Sequence, residues 1–158
     1  MIHNKWSDKV AKEWCDAAPQ TPADQALALR VYTSRLIGMD PDLVMHGGGN
    51  TSVKVRRKNL FGDMEDILHV KGSGWDLQVI EAAGLPGVRL ELLKRLRTLD
   101  ALSDEDMVNV QRNNLLESAA PNPSVETLLH AYLPHAFVDH THATAFLVLA
   151  NLQNAVER

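Results

Sequence analysis

The hydrophobic and polar positions of residues 21–37 follow the period of an amphipathic helix. Thr21 is a typical N-cap residue, and the proline that follows it suits the first helical position, where no backbone donor is lost. These signals predict a helix from residue 22 to about residue 37. Its buried face is predicted to contain Leu29, Tyr32 and Leu36.

Residues 51–57 and 65–71 show the alternation and the β-branched content that are typical of strands. A run of glycines precedes the first strand, and turn residues at 59–64 separate the two. The pattern therefore predicts a pair of strands joined by a turn.

The second half of the chain alternates helical and extended signals. Helices are predicted over 88–99 and over 104–116, the latter capped by Ser103 with acidic residues in its first turn. Ser124 is predicted to cap a further helix that reaches residue 130 or 133. A strand and an apolar, buried helix over 143–152 complete the pattern, which predicts a layered α/β or α+β domain.

The composition fits one globular domain and excludes several functional classes. Of the 158 residues 45% are hydrophobic and 23% are charged, with a net charge of −4. This balance gives no electrostatic footprint for a nucleic acid, because the only basic cluster, 54–58, is short. The chain has no apolar run near the ~20 residues that cross a bilayer. A single cysteine and a polar N-terminus without a secretion signal predict a cytoplasmic protein.

Residues 139–142 read Asp-His-Thr-His and close a short apolar run. On an extended strand His140 and His142 point to the same side of the sheet, because alternate side chains share a face. Two imidazoles on one face make half of a catalytic zinc site, which commonly has three protein ligands. The alternative is a chance pair at a strand end, with one ring hydrogen-bonded and the other solvated.

Two glycine-rich turns carry donors that suit an anionic group such as phosphate. Residues 47–52 read Gly-Gly-Gly-Asn-Thr-Ser and residues 72–74 read Gly-Ser-Gly. Flexible backbone, exposed amides and hydroxyls allow close approach of an anion. Neither turn matches the P-loop or the dinucleotide fingerprint, so a plain tight turn is the alternative for the first of them. The two turns lie at the ends of paired strands and can meet around one ligand.

Glu126 is a candidate proton-abstracting base. It lies four residues before His130 and therefore shares a helix face with it. A carboxylate beside a metal ion stays ionised until substrate arrives. The alternative is a first-turn glutamate that interacts with the helix dipole. We interpret His130 and His135 as packing or surface histidines, and His69 as a hydrogen-bonded structural group.

The ordered set Gly-Gly-Gly-Asn-Thr-Ser, Gly-Ser-Gly, Pro-Ser-Val-Glu at 123–126 and His-Thr-His at 140–142 resembles the class II aldolase/adducin family over residues 22–152. These motifs are most similar to those of the aldolase domain of rhamnulose-1-phosphate aldolase/short-chain dehydrogenase bifunctional proteins. The resemblance implies a class II aldolase-like α/β/α sandwich around a mainly antiparallel sheet. It also implies a homo-oligomer, a tetramer in the family.

The resemblance assigns a role to each motif. It implies that His140 and His142 bind Zn²⁺ or another divalent metal and that Glu126 is the catalytic acid/base. The implied phosphate pocket is lined by Gly49, Asn50, Ser73, Gly74 and Ser124.

The implied activity is a reversible aldol cleavage of a ketose phosphate, of the rhamnulose or fuculose type, through an enediolate. Two alternatives stay open. One is a sugar-phosphate epimerase or dehydratase with the same fold, because a fold does not fix the reaction. The other is a non-catalytic, adducin-like assembly module.

Two positions depart from the family pattern. Val125 occupies a place where many relatives have a second serine, and no histidine follows His142, although the family's third ligand is a later histidine. The sequence is therefore expected to be truncated at its C-terminus, with an N-terminal extension over 1–21 and an incomplete domain over 22–158. Missing strands would leave a sheet edge and apolar surface that favour association.

Overall fold

The computed structural model describes residues 4–19 and 21–153. Within them, one sheet has its strands in the order β3-β2-β1-β4, and every neighbouring pair is antiparallel. The strands are β1 (Asn50–Lys58), β2 (Met64–Val70), β3 (Gly87–Arg89) and β4 (Phe137–His140).

Helices surround this sheet. They are α1 (Asp8–Ala17), α2 (Pro22–Gly38), α3 (Leu90–Arg95), α4 (Asp104–Asn113), α5 (Thr127–Tyr132) and α6 (Thr144–Ala150). Short 3₁₀ turns span Leu77–Val79, Ala82–Gly84 and Leu96–Thr98.

The sheet has helices on both faces, and the alternation along β2 shows how they are divided. Ile67 packs in a cluster with Ala23 of α2, whereas Leu68 and Val70 pack in a cluster with residues of α3 and α5. Neighbouring residues of a strand point to opposite faces, so α2 covers one face and α3 with α5 covers the other. The predicted α/β/α arrangement around an antiparallel sheet is confirmed.

Helix α1 lies within the predicted N-terminal extension and packs on α2. Tyr32 accepts a hydrogen bond from the backbone amide of Ser7 at 3.0 Å, and its ring contacts those of Trp6 and Trp14, with centroids 5.4 and 6.4 Å away. Aromatic contacts of this kind anchor one helix on another. The division of the chain at residue 21 remains a prediction, and residues 1–3, 20 and 154–158 lie outside the described part.

The prediction of the long helix is confirmed. Helix α2 has Thr21 as its N-cap, with the Thr21 hydroxyl accepting from the Asp24 amide at 3.1 Å. The predicted buried face is only partly correct. Tyr32 is buried, but Leu29 and Leu36 are half-buried, because the face packed on the sheet also holds the polar residues Arg30 and Ser34.

The predicted helix over 88–99 is wrong in its first residues. Residues 87–89 form β3 and pair with β2, and α3 begins only at Leu90. The helix predicted over 104–116 ends at Asn113, since Leu115 bridges to Val88 at the sheet. Residues 87–89 form hydrogen bonds with the edge of β2, and residues 114–116 in turn form hydrogen bonds with β3. In both cases these bonds outweigh local helical preference.

The predicted burial of the apolar helix over 143–152 is also wrong. Helix α6 ends at Ala150, and none of its side chains is buried. Phe146 is 75% exposed and Val148 is 56% exposed. An apolar sequence indicates that burial of a helix is favourable, but it does not identify the element that packs on it. No described element packs over the side chains of α6.

None of the described helices has the length and the apolar character needed to span a membrane.

Candidate metal centre

The last residues of β4 distribute their side chains to opposite faces of the sheet. Asp139 points to the α2 face, where its carboxylate lies 2.6 Å from Nη1 of the buried Arg30. Arg30 also donates to the carbonyl oxygens of Ser52 and Val138 at 3.4 Å. His140 follows Asp139 and therefore points to the opposite face, on the side of α5. The Arg30–Asp139 pair thus fixes the strand end from which His140 projects.

His140 meets Glu126 directly. Nδ1 of His140 lies 2.8 Å from Oε2 of Glu126, which is the residue just before α5. The backbone of His140 pairs with Asn50 at the start of β1, and the Asn50 side chain also hydrogen-bonds to Glu126. Three segments far apart in sequence therefore meet at one carboxylate.

His142 reaches the same place by a different route from the predicted one. Strand β4 ends at His140, so the expectation that both histidines lie in one strand is wrong. The chain leaves the sheet because the amides of His142 and Thr144 donate to the carbonyls of Leu43 and Asp42, at 2.9 and 2.8 Å. The rings of His140 and His142 still contact each other edge to face, with their centroids 4.9 Å apart.

Glu126, His140 and His142 form a candidate metal site. Each offers one ligand atom, and these atoms all lie within 4.8 Å of one another. Imidazole nitrogens with one carboxylate oxygen are a donor set that suits zinc and related divalent ions. Asn50 lies beside Glu126 and is 2% exposed. Its Oδ1 atom has no hydrogen-bond partner among the described residues. An unsatisfied buried acceptor next to these donors also fits a cation, and we conclude that the residues present suit a divalent metal.

The surroundings of Glu126 keep it ionised. Burial raises the pKa of this carboxyl, but the hydrogen bond and charge of His140 outweigh it, with smaller contributions from Asn50 and His130. The pKa of Glu126 therefore lies below its ordinary value. The ionised carboxylate is the form that accepts a proton or binds a cation.

The other histidines have structural positions. His130 is fully buried on α5, with Nδ1 2.8 Å from the Ser52 hydroxyl, and burial lowers its pKa to about 4. His69 is buried on β2 and bonds through Nδ1 to the Leu85 carbonyl at 2.9 Å. His135 is exposed. The predictions for all three are confirmed.

Gly49 has to be glycine because two independent features forbid a side chain there. Its φ is +68°, which L-residues rarely adopt. A Cβ atom would also lie 2.5 Å from Val44 and 2.9 Å from the carbonyl oxygen of His140. The glycine turn thus packs against the backbone of a candidate metal ligand.

A cavity of about 360 Å³ adjoins the metal centre and contains three of the five residues predicted for the phosphate pocket. Ser73, Gly74 and Ser124 line it, together with Gly47 of the first glycine turn. Gly49 and Asn50 do not line it and lie instead at the metal centre. The structure therefore divides the predicted pocket between two neighbouring places.

Backbone hydrogen bonds hold the cavity walls together. The amide of Ser73 donates to Asn122 at 2.8 Å, and the amide of Ser124 donates to Lys71 at 3.1 Å. Ser124 was predicted to cap a helix, but α5 begins at Thr127, and the Ser124 hydroxyl accepts from the Glu126 amide at 3.2 Å. The prediction of the helix start is wrong because residues 122–124 first extend alongside the Gly-Ser-Gly turn.

Several lining residues are absent from the sequence-based prediction, among them Lys71, Gln111 and Arg112. Lys71 is buried and donates to the carbonyl of Gly47 at 2.7 Å. Burial lowers its pKa, while Asp76 and Glu126 act in the opposite sense. Its position directly before Gly-Ser-Gly was a usable signal. Gln111 and Arg112 come from α4, and nothing in the sequence links that helix to the glycine turns.

Comparisons with known proteins agree on one family. Residues 28–157 match the sequence profile of the Class II Aldolase and Adducin N-terminal domain. An uncharacterized oxidoreductase of Bacillus subtilis (strain 168), YuxG, is 41% identical over 124 residues, which is 78% of this chain and 18% of that protein.

A solved structure has a similar fold. The N-terminal class II aldolase domain of a conserved protein from Thermoplasma acidophilum aligns with a TM-score of 0.80 and 38% identity, covering 97% of this chain and 66% of that chain. The chain thus spans under a fifth of the curated relative's length and just under two thirds of the solved chain's length.

Proposed function

Because this chain belongs to the class II aldolase and adducin family, we propose that it forms the aldolase domain of an enzyme that reversibly cleaves a ketose phosphate. The substrate is of the rhamnulose- or fuculose-phosphate type. The observation that carries the proposal is the meeting of Glu126, His140 and His142 beside a cavity lined by the Gly-Ser-Gly turn and Ser124.

Each residue has a defined task in the proposed reaction. His140 and His142 hold Zn²⁺ or another divalent ion, which when bound stabilises negative charge that develops on substrate oxygens. Oε2 of Glu126 accepts a proton from the substrate and returns it, which its lowered pKa allows because the carboxylate starts ionised. Asn50 fixes the orientation of that carboxylate through its side-chain hydrogen bond.

The cavity residues bind the other end of the substrate. The hydroxyls of Ser73 and Ser124, with the freedom of the Gly74 backbone, supply neutral donors to the phosphate. Val125 also lines this cavity, is 74% exposed, and adds no hydroxyl. Ser124 precedes Glu126 by only two residues. A phosphate bound to Ser124 therefore leaves the sugar carbons to extend toward the proposed metal centre.

A Glu126→Gln variant tests the proposal. With zinc and a panel of ketose phosphates, we expect wild-type protein to release an aldehyde and the variant to be slower by about 100-fold or more. Zinc content should be retained, since both histidines remain and a glutamine side-chain oxygen can still accept the hydrogen bond from His140. Glu91→Gln, at an exposed site on α3, is the matched control and should cleave normally. Equal turnover by wild type and Glu126→Gln would overturn the assignment of Glu126.

The same assay separates the alternatives within the fold. An epimerase or dehydratase would convert the ketose phosphate without releasing an aldehyde. An assembly module would neither bind zinc nor turn over any member of the panel. The full set of one carboxylate and two histidines favours the enzyme over the module, because an assembly role does not need these ligands.

We further propose that the protein is cytoplasmic and acts as a homo-oligomer. Support for oligomerisation comes from the exposed apolar side chains of α6. They form a hydrophobic surface whose burial in an interface is favourable. Light scattering after size-exclusion chromatography tests it, and a monomer at micromolar concentration would contradict it.

A further inference from the structure

We propose that Arg112 of α4 binds the anionic phosphate of the substrate and distinguishes phosphorylated from unphosphorylated sugars. This inference rests on the proposed function, because it assigns a specificity residue to the same site. It adds a cation to a pocket for which the sequence predicted only neutral donors.

Helix α4 presents one face to the cavity. Val108, Gln111 and Arg112 line it and are spaced three and four residues apart, which places them on one side of the helix. They line the same cavity as Ser73 and Ser124, which come from other segments of the chain. A ligand held by the two serines would therefore occupy the cavity that Arg112 also lines.

The helix is held rigidly in this position. The Arg89 amide donates to the Asn114 carbonyl at 2.9 Å, and the Leu116 amide donates to the Gly87 carbonyl at 2.9 Å. Both bonds tie the end of α4 to β3 and hence to the sheet. An arginine on a fixed helix loses less conformational freedom on binding than one on a loop.

The residues that line the cavity include two cations. Lys71 and Arg112 line it, and no carboxylate is among the lining residues. Within residues 4–19 and 21–153, no ion pair involves either of these cations. A planar guanidinium forms two parallel hydrogen bonds with a phosphate, so Arg112 suits a dianion of this shape.

Gln111 gives a second indication of a polar ligand. It is 3% exposed, and its side-chain nitrogen has no hydrogen-bond partner among the described residues. A buried amide without a partner costs free energy in the absence of a ligand or water. Gln111 is next to Arg112, which is exposed, so this part of the wall combines a buried amide with an accessible guanidinium.

Titration with inorganic phosphate tests the inference without requiring turnover. The metal-free 158-residue protein, kept with a chelator, is titrated while binding is followed by calorimetry. We expect Arg112→Gln to weaken phosphate binding by about fivefold or more, and Arg112→Lys to recover part of the loss. Arg95→Gln removes an equal charge from α3, on a different surface concavity, and should leave binding unchanged.

The outcomes separate this inference from the proposed function. Equal phosphate affinity in wild type and Arg112→Gln, or no phosphate binding by wild type, overturns the role of Arg112 and leaves the Glu126 assay to decide the aldolase activity. Loss of phosphate binding in Arg112→Gln but not in Arg95→Gln supports the inference even where aldol cleavage is absent. In an active preparation, Arg112→Gln should raise KM for the phosphorylated sugar more than it lowers kcat.

Discussion

Nδ1 of His140 lies 2.8 Å from Oε2 of Glu126, and this contact joins the proposed metal ligand to the proposed base. When Nδ1 donates to the carboxylate, the lone pair of the imidazole is on Nε2 and is available to a cation. A carboxylate that orients a ligating histidine in this way is common at metal sites. The same hydrogen bond lowers the pKa of Glu126, so one contact prepares both groups.

The first prediction concerns metal binding. His142→Ala should weaken zinc binding by about 100-fold or more, because a direct ligand contributes more than the outer partners whose loss already costs about 10–100-fold. Elemental analysis and competition with a chromogenic chelator measure this. His135→Ala, at an exposed site away from the cluster, should bind zinc like wild type. Stoichiometric zinc retained by His142→Ala would refute the assignment.

The second prediction concerns the glycine turn. Gly49→Ala should lower the free energy of unfolding by about 2–4 kcal/mol, because a strained backbone adds to the collision with Val44 and the His140 carbonyl. Gly62→Ala is the control, since Gly62 also has positive φ, +90°, but has nothing within 4 Å of its Cβ position. It should cost only about 1 kcal/mol, from strain alone. Urea unfolding measures both, and equal losses would show that the close approach at Gly49 is unimportant.

The third prediction concerns the buried ion pair behind β4. Asp139→Asn should destabilise the fold by about 1–3 kcal/mol, because it leaves the buried Arg30 without its counter-charge. The estimate is below that for a fully buried pair, since the Asp139 side chain is 49% exposed. Adding Arg30→Met should recover part of the loss, because the unpaired charge is then absent.

Asp66→Asn is the matched control for this pair. Asp66 contacts Arg56 at 3.1 Å on the surface, where both side chains are largely exposed, so its loss should cost under about 0.5 kcal/mol. Equal unfolding free energies for Asp139→Asn and Asp66→Asn would contradict the prediction.

The fourth prediction concerns pH. Burial lowers the pKa of both His69 and His130, the latter to about 4. Below pH 6.5 the unfolded chain binds protons that the folded protein does not, so stability is lost as the pH falls. For His130 the loss between pH 6.5 and 4 amounts to about 3 kcal/mol.

Urea unfolding at a series of pH values between 7.5 and 4.5 measures this slope. His69→Gln should reduce it without removing it, because His130 acts in the same sense. An unchanged slope in His69→Gln would mean that the pKa of His69 is the same in the folded and the unfolded protein.

The sequence predicted those parts of the fold that depend on neighbours in the chain. Helix α2 begins at Thr21 because a hydroxyl N-cap and a proline act within one turn, and β1 and β2 follow from alternation along a single segment. The residues proposed for the metal centre come from two short motifs. Their chemistry is a property of the residue types, and the structure brings all three together.

Only the tertiary structure decided how distant segments combine. Residues 87–89 form a strand because β2 offers them partners, and Asn50 lies at the metal centre because its backbone pairs with that of His140. Arg112 borders the cavity because residues 114–116, directly after α4, are hydrogen-bonded to β3, and α6 is exposed because no described element covers it. The local sequence determines the secondary-structure propensity of each segment and the chemistry of its side chains. Long-range hydrogen bonds and burial decide which segments pack together, because their free energy exceeds the differences in local propensity.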